Sequence, residues 1–192
     1  MSSDRDGDQT PIDLGDAAAS LHLGDTTGAD FQPPAKADLH PALLKLSWLL
    51  GTWHGHGRGD YPDIDEYSYG QELTFAHHGQ PVLEYVSHQW SLADGSLLAA
   101  ESGFLRPQPD GTVEALLTQS TGVVELSYGT FEGVKLELAS DFVARSSTGE
   151  QVSGVHRLYG LVEGVLLYAI DKSAGGHDLQ PHQWGRLYRA PA

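Results

Sequence analysis

From Gly51 to the C-terminus, apolar and polar residues alternate in short segments that are separated by turn residues. Alternation with a period of two puts every second side chain on the same face of a strand. The turns have hairpin length and contain Gly, Asp or Pro, for example at 93–95 and 109–111. Strands are predicted at 51–58, 69–78, 81–91, 97–106, 112–119, 122–128, 131–140, 142–147, 152–161, 165–171 and 183–190. We therefore expect an all-β fold, an antiparallel up-and-down barrel of about ten strands.

A short helix is predicted immediately before the first strand. Asp38 is a suitable N-cap, and Pro41 fits the first turn. Leucines then recur at helical spacing, at Leu43, Leu46, Leu49 and Leu50. Gly51 ends the helix. Since no residue of this segment has evident chemistry, we expect the helix to cap one end of the barrel and to cover apolar surface there.

The distribution of charge divides the chain into two parts. Residues 1–38 contain eight Asp and two basic residues, a net charge of −6 (2 − 8), with few large apolar side chains. Such a segment buries too little surface to offset its ordering entropy. We predict a disordered acidic tail at 1–38 and the barrel domain at 39–192. The whole chain carries −15 with only 11 basic residues, which argues against binding to nucleic acid or to an anionic membrane surface.

Cysteine is absent, so disulfides, thiolate nucleophiles and thiolate-held metals are excluded. The first residues are acidic and polar and lack the basic and apolar regions of a signal peptide. Both features favour a cytoplasmic location. Histidines and carboxylates remain as the candidates for chemistry.

A glycine-rich stretch at 51–61 is the most informative part of the chain. One face of the predicted strand carries Trp53 together with four glycines, Gly51, Gly55, Gly57 and Gly59. Glycine weakens a strand, so a run of glycines needs a reason. The backbone could be approached closely by a large flat ligand, or the strand could bend at a barrel corner. The opposite face carries His54 and His56, which are spaced like a metal pair but are better interpreted as an outer, solvated face.

This stretch resembles the signature of the nitrobindin family. The similarity lies in the alternating glycines followed by Tyr61 and Pro62, and it extends over about residues 40–190. Further matching segments lie at 75–85, 101–106, 121–125 and 181–184. The resemblance implies a ten-stranded barrel that holds one haem b, with iron bound by a single His near the C-terminus. It also implies binding of nitric oxide and isomerisation of peroxynitrite to nitrate.

The resemblance assigns the axial iron ligand, and with it the catalytic role, to His182. This residue follows Pro181 at the entrance to the last predicted strand, and His177 in the preceding loop is its rival. Other residues implied to contact the haem are Gly55, Gly57, Tyr61 and Asp63. The family usually has Thr at the position of Asp63, whereas an ionised carboxylate cannot donate a hydrogen bond and would repel a haem propionate.

Four basic residues are candidates to offset the propionate charge, namely Lys45, Arg58, Lys172 and Arg186. Two other functions also fit a barrel of this shape. A lipocalin-like carrier of fatty acid or another apolar ligand would have a wide apolar cavity and no haem. A nitric oxide sensor would bind haem and would meet a protein partner through its tail or outer surface. The chain could be a monomer or a homodimer.

Overall fold

The computed structural model describes residues 37–191, so the predicted tail at 1–38 lies outside the described residues apart from its last two. Ten strands follow one short helix. Their bounds are β1 Gly51–Tyr61, β2 Ile64–Ala76, β3 Leu83–Ser91, β4 Leu97–Pro107, β5 Thr112–Gln119, β6 Val123–Glu132, β7 Lys135–Arg145, β8 Val152–Val162, β9 Val165–Ala174 and β10 Gln180–Arg189. Each strand pairs antiparallel with the next, and β10 pairs with β1, which closes the barrel. The predicted all-β up-and-down barrel is therefore confirmed.

The helix is a 3₁₀ helix, Pro41–Leu49, and it covers one end of the barrel as predicted. Its N-cap is His40, not Asp38: the His40 Nδ1 accepts a hydrogen bond from the backbone N–H of Ala42 at 3.2 Å. Three leucines of its inner face are buried: Leu43, Leu46 and Leu49. Within residues 37–191 there is no helix with the length and apolar composition needed to cross a membrane.

Trp53 of β1 is fully buried against the end of this helix. Its indole N–H donates to the carbonyl of Leu49 at 2.7 Å, which fastens the end of the helix to the first strand. The guanidinium of Arg189 lies 4.1 Å from the centre of the Trp53 ring and hydrogen-bonds to the carbonyls of Trp48 and Leu50. Trp53 and the helix therefore cover the barrel interior at this end.

Two consecutive predicted strands form a single strand in the structure. The segments expected at 131–140 and 142–147 form one strand, β7, with an irregularity in its pairing to β6. Leu126 faces Phe142 and Ser127 faces Ser140, so Asp141 is an extra residue in a β-bulge. The bulge interrupts the alternation in the sequence but leaves the strand continuous, which is why eleven predicted segments become ten strands.

Candidate functional site

A cavity of about 410 Å³ opens at the end of the barrel opposite the helix. Its walls are mixed: apolar side chains such as Val152, Val155 and Ile170 alternate with polar and charged ones. The polar members are Tyr67, Gln89, Glu101, Gln119, Ser120, Thr121, Glu150, Arg157, Lys172, His182 and Gln183. A cavity of this size, with a few convergent polar groups, is typical of a small-molecule site.

A β-bulge in the last strand points two consecutive side chains into this cavity. Pro181 faces Asp171 on β9, but the next paired residue is Gln183, which faces Ile170. His182 is therefore an extra residue in β10, and both His182 and Gln183 line the cavity. A bulge re-aims a side chain that regular alternation would direct outward. The position of the predicted iron ligand is thus set by a local departure from the strand pattern.

The imidazole of His182 is held in one tautomer. Its Nδ1 lies 3.3 Å from the carbonyl oxygen of Asp60, and because a carbonyl can only accept, Nδ1 carries the hydrogen. Burial, with a smaller contribution from the positive charge of Lys172, lowers the pKa of His182 to about 4. The ring is therefore neutral at pH 7, and its Nε2 has a free lone pair. This is the state, with an oriented second nitrogen, in which histidine ligates a metal.

Tyr61 supports His182 from outside the cavity. Its ring meets the His182 ring edge to face, with 5.5 Å between centroids. Its hydroxyl accepts a hydrogen bond from the backbone N–H of Ala174 at 2.8 Å, so the tyrosine is fixed between β1 and β9. Tyr61 does not line the cavity. The structure therefore places this predicted haem contact behind the ligand rather than beside the cavity space.

Asp63 and His177 lie at the rim and contact each other. The Asp63 carboxylate is 2.9 Å from His177 Nε2, and neither residue lines the cavity. The side chain of Asp63 is 70% exposed, so it points towards solvent and towards His177. The rival iron ligand is thus engaged with a carboxylate, since the Asp63 carboxylate accepts a hydrogen bond from His177.

The glycines of β1 accommodate neighbouring protein atoms. A side chain at Gly57 would overlap the ring of Tyr69, and one at Gly55 would overlap the backbone of Arg186 on β10. Neither Gly55 nor Gly57 lines the cavity. The structure therefore does not bring these two predicted haem contacts to the site, since the space beside them is taken by a tyrosine ring and by the adjacent strand.

The outward interpretation of the histidines on the other face of β1 agrees with the structure. His54 and His56 are exposed, and His54 Nε2 lies 2.8 Å from Glu72 on β2. Among residues 37–191, no three His, Asp or Glu side chains form a group that could hold a metal ion.

The floor of the cavity is a buried ionic cluster that no sequence motif indicates. Arg157 is 1% exposed and makes five hydrogen bonds of 2.7–3.1 Å to the carboxylates of Glu101 and Glu125. The Tyr85 hydroxyl donates to Glu101 at 2.8 Å. Burial alone would raise the pKa of Glu101, but Arg157 and Tyr85 hold it below its usual value. With two carboxylates and one guanidinium, the floor carries a net charge of −1.

Lys172 is the basic residue, of the four considered from the sequence, that lines the cavity. Its ammonium group lies 2.6 Å from Glu150 and 5.1 Å from the centre of the Tyr61 ring. Arg58 pairs with Glu66 on the outer surface, and Lys45 lies over Phe131 beside the helix. Lys172 could have been distinguished from the other three in the sequence, because it follows the inward-facing Ile170 by two residues in the alternation of β9.

A closed antiparallel barrel with a neutral, oriented imidazole at a ligand-sized cavity is typical of proteins that bind a small molecule or a cofactor. Comparison with known proteins gives the family. The model of the THAP4-like, heme-binding beta-barrel domain matches residues 42–189. The chain belongs to this family, which confirms the resemblance to nitrobindins.

Named relatives and a solved structure agree with this assignment. A peroxynitrite isomerase of Nocardioides sp. is 48% identical over 156 residues, which cover 79% of this chain and 95% of that protein. A ferric nitrobindin-like protein of Streptomyces griseus is 38% identical and covers 79% of this chain and 83% of its own length. The crystal structure of Rv2717c from M. tuberculosis is similar with a TM-score of 0.75 and 37% identity, covering 80% of this chain and 100% of that one. Several further relatives, at 40–45% identity, are also named peroxynitrite isomerase, an isomerase.

Proposed function

We propose that this protein binds one haem b at the open end of its barrel, with His182 as the axial ligand of iron, and that it isomerises peroxynitrite to nitrate. The observation that carries the proposal is the state of His182. Its Nδ1 donates to Asp60, its pKa of about 4 keeps the ring neutral, and it lines the cavity. These features fit the requirement of haem iron for a neutral, oriented imidazole. The names of the relatives support the reaction.

The cavity wall offers further groups that suit a haem. Apolar side chains, including Val152, Val155 and Ile170, suit the macrocycle. Lys172 is 14% exposed and could bind a propionate, since its ammonium group lies at the mouth beside Tyr61. When bound, haem would supply the iron chemistry that peroxynitrite isomerisation and nitric oxide binding need, and the residues of the cavity would hold it.

The protein's own residues bind and orient in this proposal, and none of them transfers a proton. His182 supplies the ligand, Asp60 and Tyr61 hold its ring in place, and Lys172 offers a positive charge to an anion at the mouth. Isomerisation of peroxynitrite to nitrate moves one oxygen atom and leaves the composition unchanged. No general acid or base is therefore required, which agrees with a site whose buried carboxylates are all engaged with Arg157.

The cavity floor argues against one pose of the alternative, a fatty acid bound with its carboxylate inward. Arg157 is already bound by Glu101 and Glu125, and these carboxylates would repel a third one. A fatty acid with its carboxylate at the mouth could pair with Lys172 as a propionate would, so the oriented imidazole of His182 is the feature that favours haem. A cytoplasmic location stays a prediction from the sequence.

Titration of the full chain with hemin tests the proposal. We expect a Soret band that saturates at one haem per chain, its loss in His182→Ala, and its retention in the matched control His177→Ala. Stopped-flow mixing of the haem-loaded protein with peroxynitrite should then increase the decay rate and the nitrate yield. An unchanged Soret band in His182→Ala would refute the ligand assignment. Binding of a fluorescent fatty acid without a Soret band, and independent of His182, would favour the carrier instead.

A further inference from the structure

The two loops at the open end of the barrel contact each other next to His182. One is the β1–β2 turn, Pro62–Asp63, and the other is the β9–β10 loop, residues 175–179. Asp63 of the first loop and His177 of the second are hydrogen-bonded, with 2.9 Å between Asp63 Oδ2 and His177 Nε2. The backbone of His177 is also held within its own loop, because Ser173 Oγ donates to its carbonyl at 2.8 Å. The pair therefore joins two segments that are fixed at their bases.

Tyr61 occupies the space between the two histidines. Its ring meets both imidazoles edge to face, with centroid distances of 5.8 Å to His177 and 5.5 Å to His182. Its hydroxyl is bound to the backbone of Ala174, the last residue of β9. A shift of His177 would thus remove one of the two rings that pack against Tyr61, and the other ring is the proposed iron ligand.

The end of β1, next to the β1–β2 turn, carries the carbonyl that orients the ligand. Asp60 immediately precedes Tyr61, and its carbonyl oxygen accepts from His182 Nδ1 at 3.3 Å. The pairing of β1 with β2 is irregular here: Gly59 faces Tyr67 and Tyr61 faces Ile64, so β2 has an extra residue opposite Asp60. A bulge disrupts the ladder locally, so the position of the Asp60 carbonyl depends on its neighbouring contacts, including those of the turn that follows.

We propose that Asp63 and His177 are positioning residues for the haem ligand. Their pair fixes the β1–β2 turn against the β9–β10 loop and so keeps the Asp60 carbonyl at Nδ1 of His182. The role in haem retention rests on the proposed function, whereas the effect on the His182 tautomer does not. Asp63 is 70% and His177 is 36% exposed, so solvent screens the pair and its contribution is modest. An effect of about two- to fivefold on haem dissociation is expected for a pair of this kind.

The first test uses the haem-free full chain. Side-chain ¹⁵N NMR of His182 should show the single Nδ1–H tautomer in the wild type and a mixture of tautomers in Asp63→Ala and in His177→Ala. The matched control is His78→Ala, which removes another exposed pair, His78 with Glu84 at 3.2 Å, in the β2–β3 region. The control should keep the wild-type tautomer. A single tautomer in both rim variants would overturn the proposal.

The second test measures haem transfer from the loaded protein to an excess of a haem-scavenging apoglobin. Each rim variant should release haem about two- to fivefold faster, and the double variant should be no faster than either one, because both substitutions remove one interaction. The exchanged pair, Asp63→His with His177→Asp, should restore slow release. If the double variant released haem at a rate equal to the product of the two single accelerations, the proposal would be overturned. If the wild-type chain bound no haem, the proposed function would be refuted. If the rim variants still showed the change of His182 tautomer in that case, the positioning role would nevertheless be supported.

Discussion

Removing Arg157 tests whether the cavity floor is a coupled charge cluster. In Arg157→Met the five hydrogen bonds to Glu101 and Glu125 are lost, and two carboxylates are left in the barrel without a cation. Breaking a buried pair in this way costs about 3–5 kcal/mol, because the remaining charges stay desolvated. That is a large part of the roughly 5–15 kcal/mol that stabilises a typical domain. Urea denaturation at pH 7 measures the difference.

A control variant separates burial from simple loss of a salt bridge. Arg106 pairs with Glu114 at 2.6 Å, but the Arg106 side chain is 53% exposed. We expect Arg106→Met to change the free energy of unfolding by less than about 1 kcal/mol, since solvent screens such pairs. If the two variants lost equal stability, the argument from desolvation would be wrong.

The pH dependence gives a sharper test, because its sign should reverse. In the wild type the pKa of Glu101 lies below its usual value, so its contribution to stability is present at neutral pH and is lost as the pH falls through the folded pKa. In Arg157→Met we expect the pKa of Glu101 to lie above its unfolded value of about 4.3, since burial disfavours the charge and no cation offsets it. The folded variant then takes up protons on acidification. The loss of unfolding free energy relative to the wild type should therefore be smaller at pH 5 than at pH 7. An equal loss at both pH values would refute the reasoning.

Three further predictions concern the site, the first strand and the helix. Hemin binding should be constant between about pH 8 and 5 and should decline as the pH approaches the pKa of His182, about 4, because only the neutral ring binds iron. A Soret titration at each pH measures the affinity for hemin, and a midpoint near pH 6.5 would contradict the prediction. Gly57→Ala should destabilise by about 1–3 kcal/mol in urea, since a tyrosine ring occupies the space, whereas Gly160→Ala, with room for a methyl group, should change stability by less than about 1 kcal/mol. Leu46→Ala should cost about 2–5 kcal/mol in thermal unfolding, and the exposed Leu44→Ala should cost less than about 0.5 kcal/mol; equal losses would contradict the covering role of the helix.

Local patterns predicted most of the fold because a barrel of hairpins is specified locally. Alternation indicated every strand, although β2 begins earlier and β6 ends later than the pattern predicts. The one merged strand, β7, contains a bulge at Asp141, and an inserted residue in a strand looks the same in the sequence as a short turn. The helix cap moved from Asp38 to His40 because an imidazole nitrogen can also accept the free backbone N–H, which residue preferences for N-caps do not anticipate.

The site was predicted less completely because it depends on pairings between distant strands. His182 and Tyr61 are 121 positions apart in the chain (182 − 61), and the family resemblance, rather than any spacing, brought them together. No periodicity shows that Arg157 on β8 meets Glu101 on β4 and Glu125 on β6, although each lies at an inward position of its strand.

Inward charge in an alternating pattern is nevertheless a usable signal. A strand of a barrel that places Glu or Arg where its neighbours place Val or Leu must bury that charge, and a buried charge needs a partner of opposite sign. Glu125 lies between Val123 and Ser127 on the inner face of β6, and Arg157 lies between Val155 and Tyr159 on β8. Matching inward acids to inward bases would have indicated an ionic floor from the amino-acid sequence alone. The same reasoning identifies Lys172 as the inward cation of β9, and Glu150 is the partner that completes it.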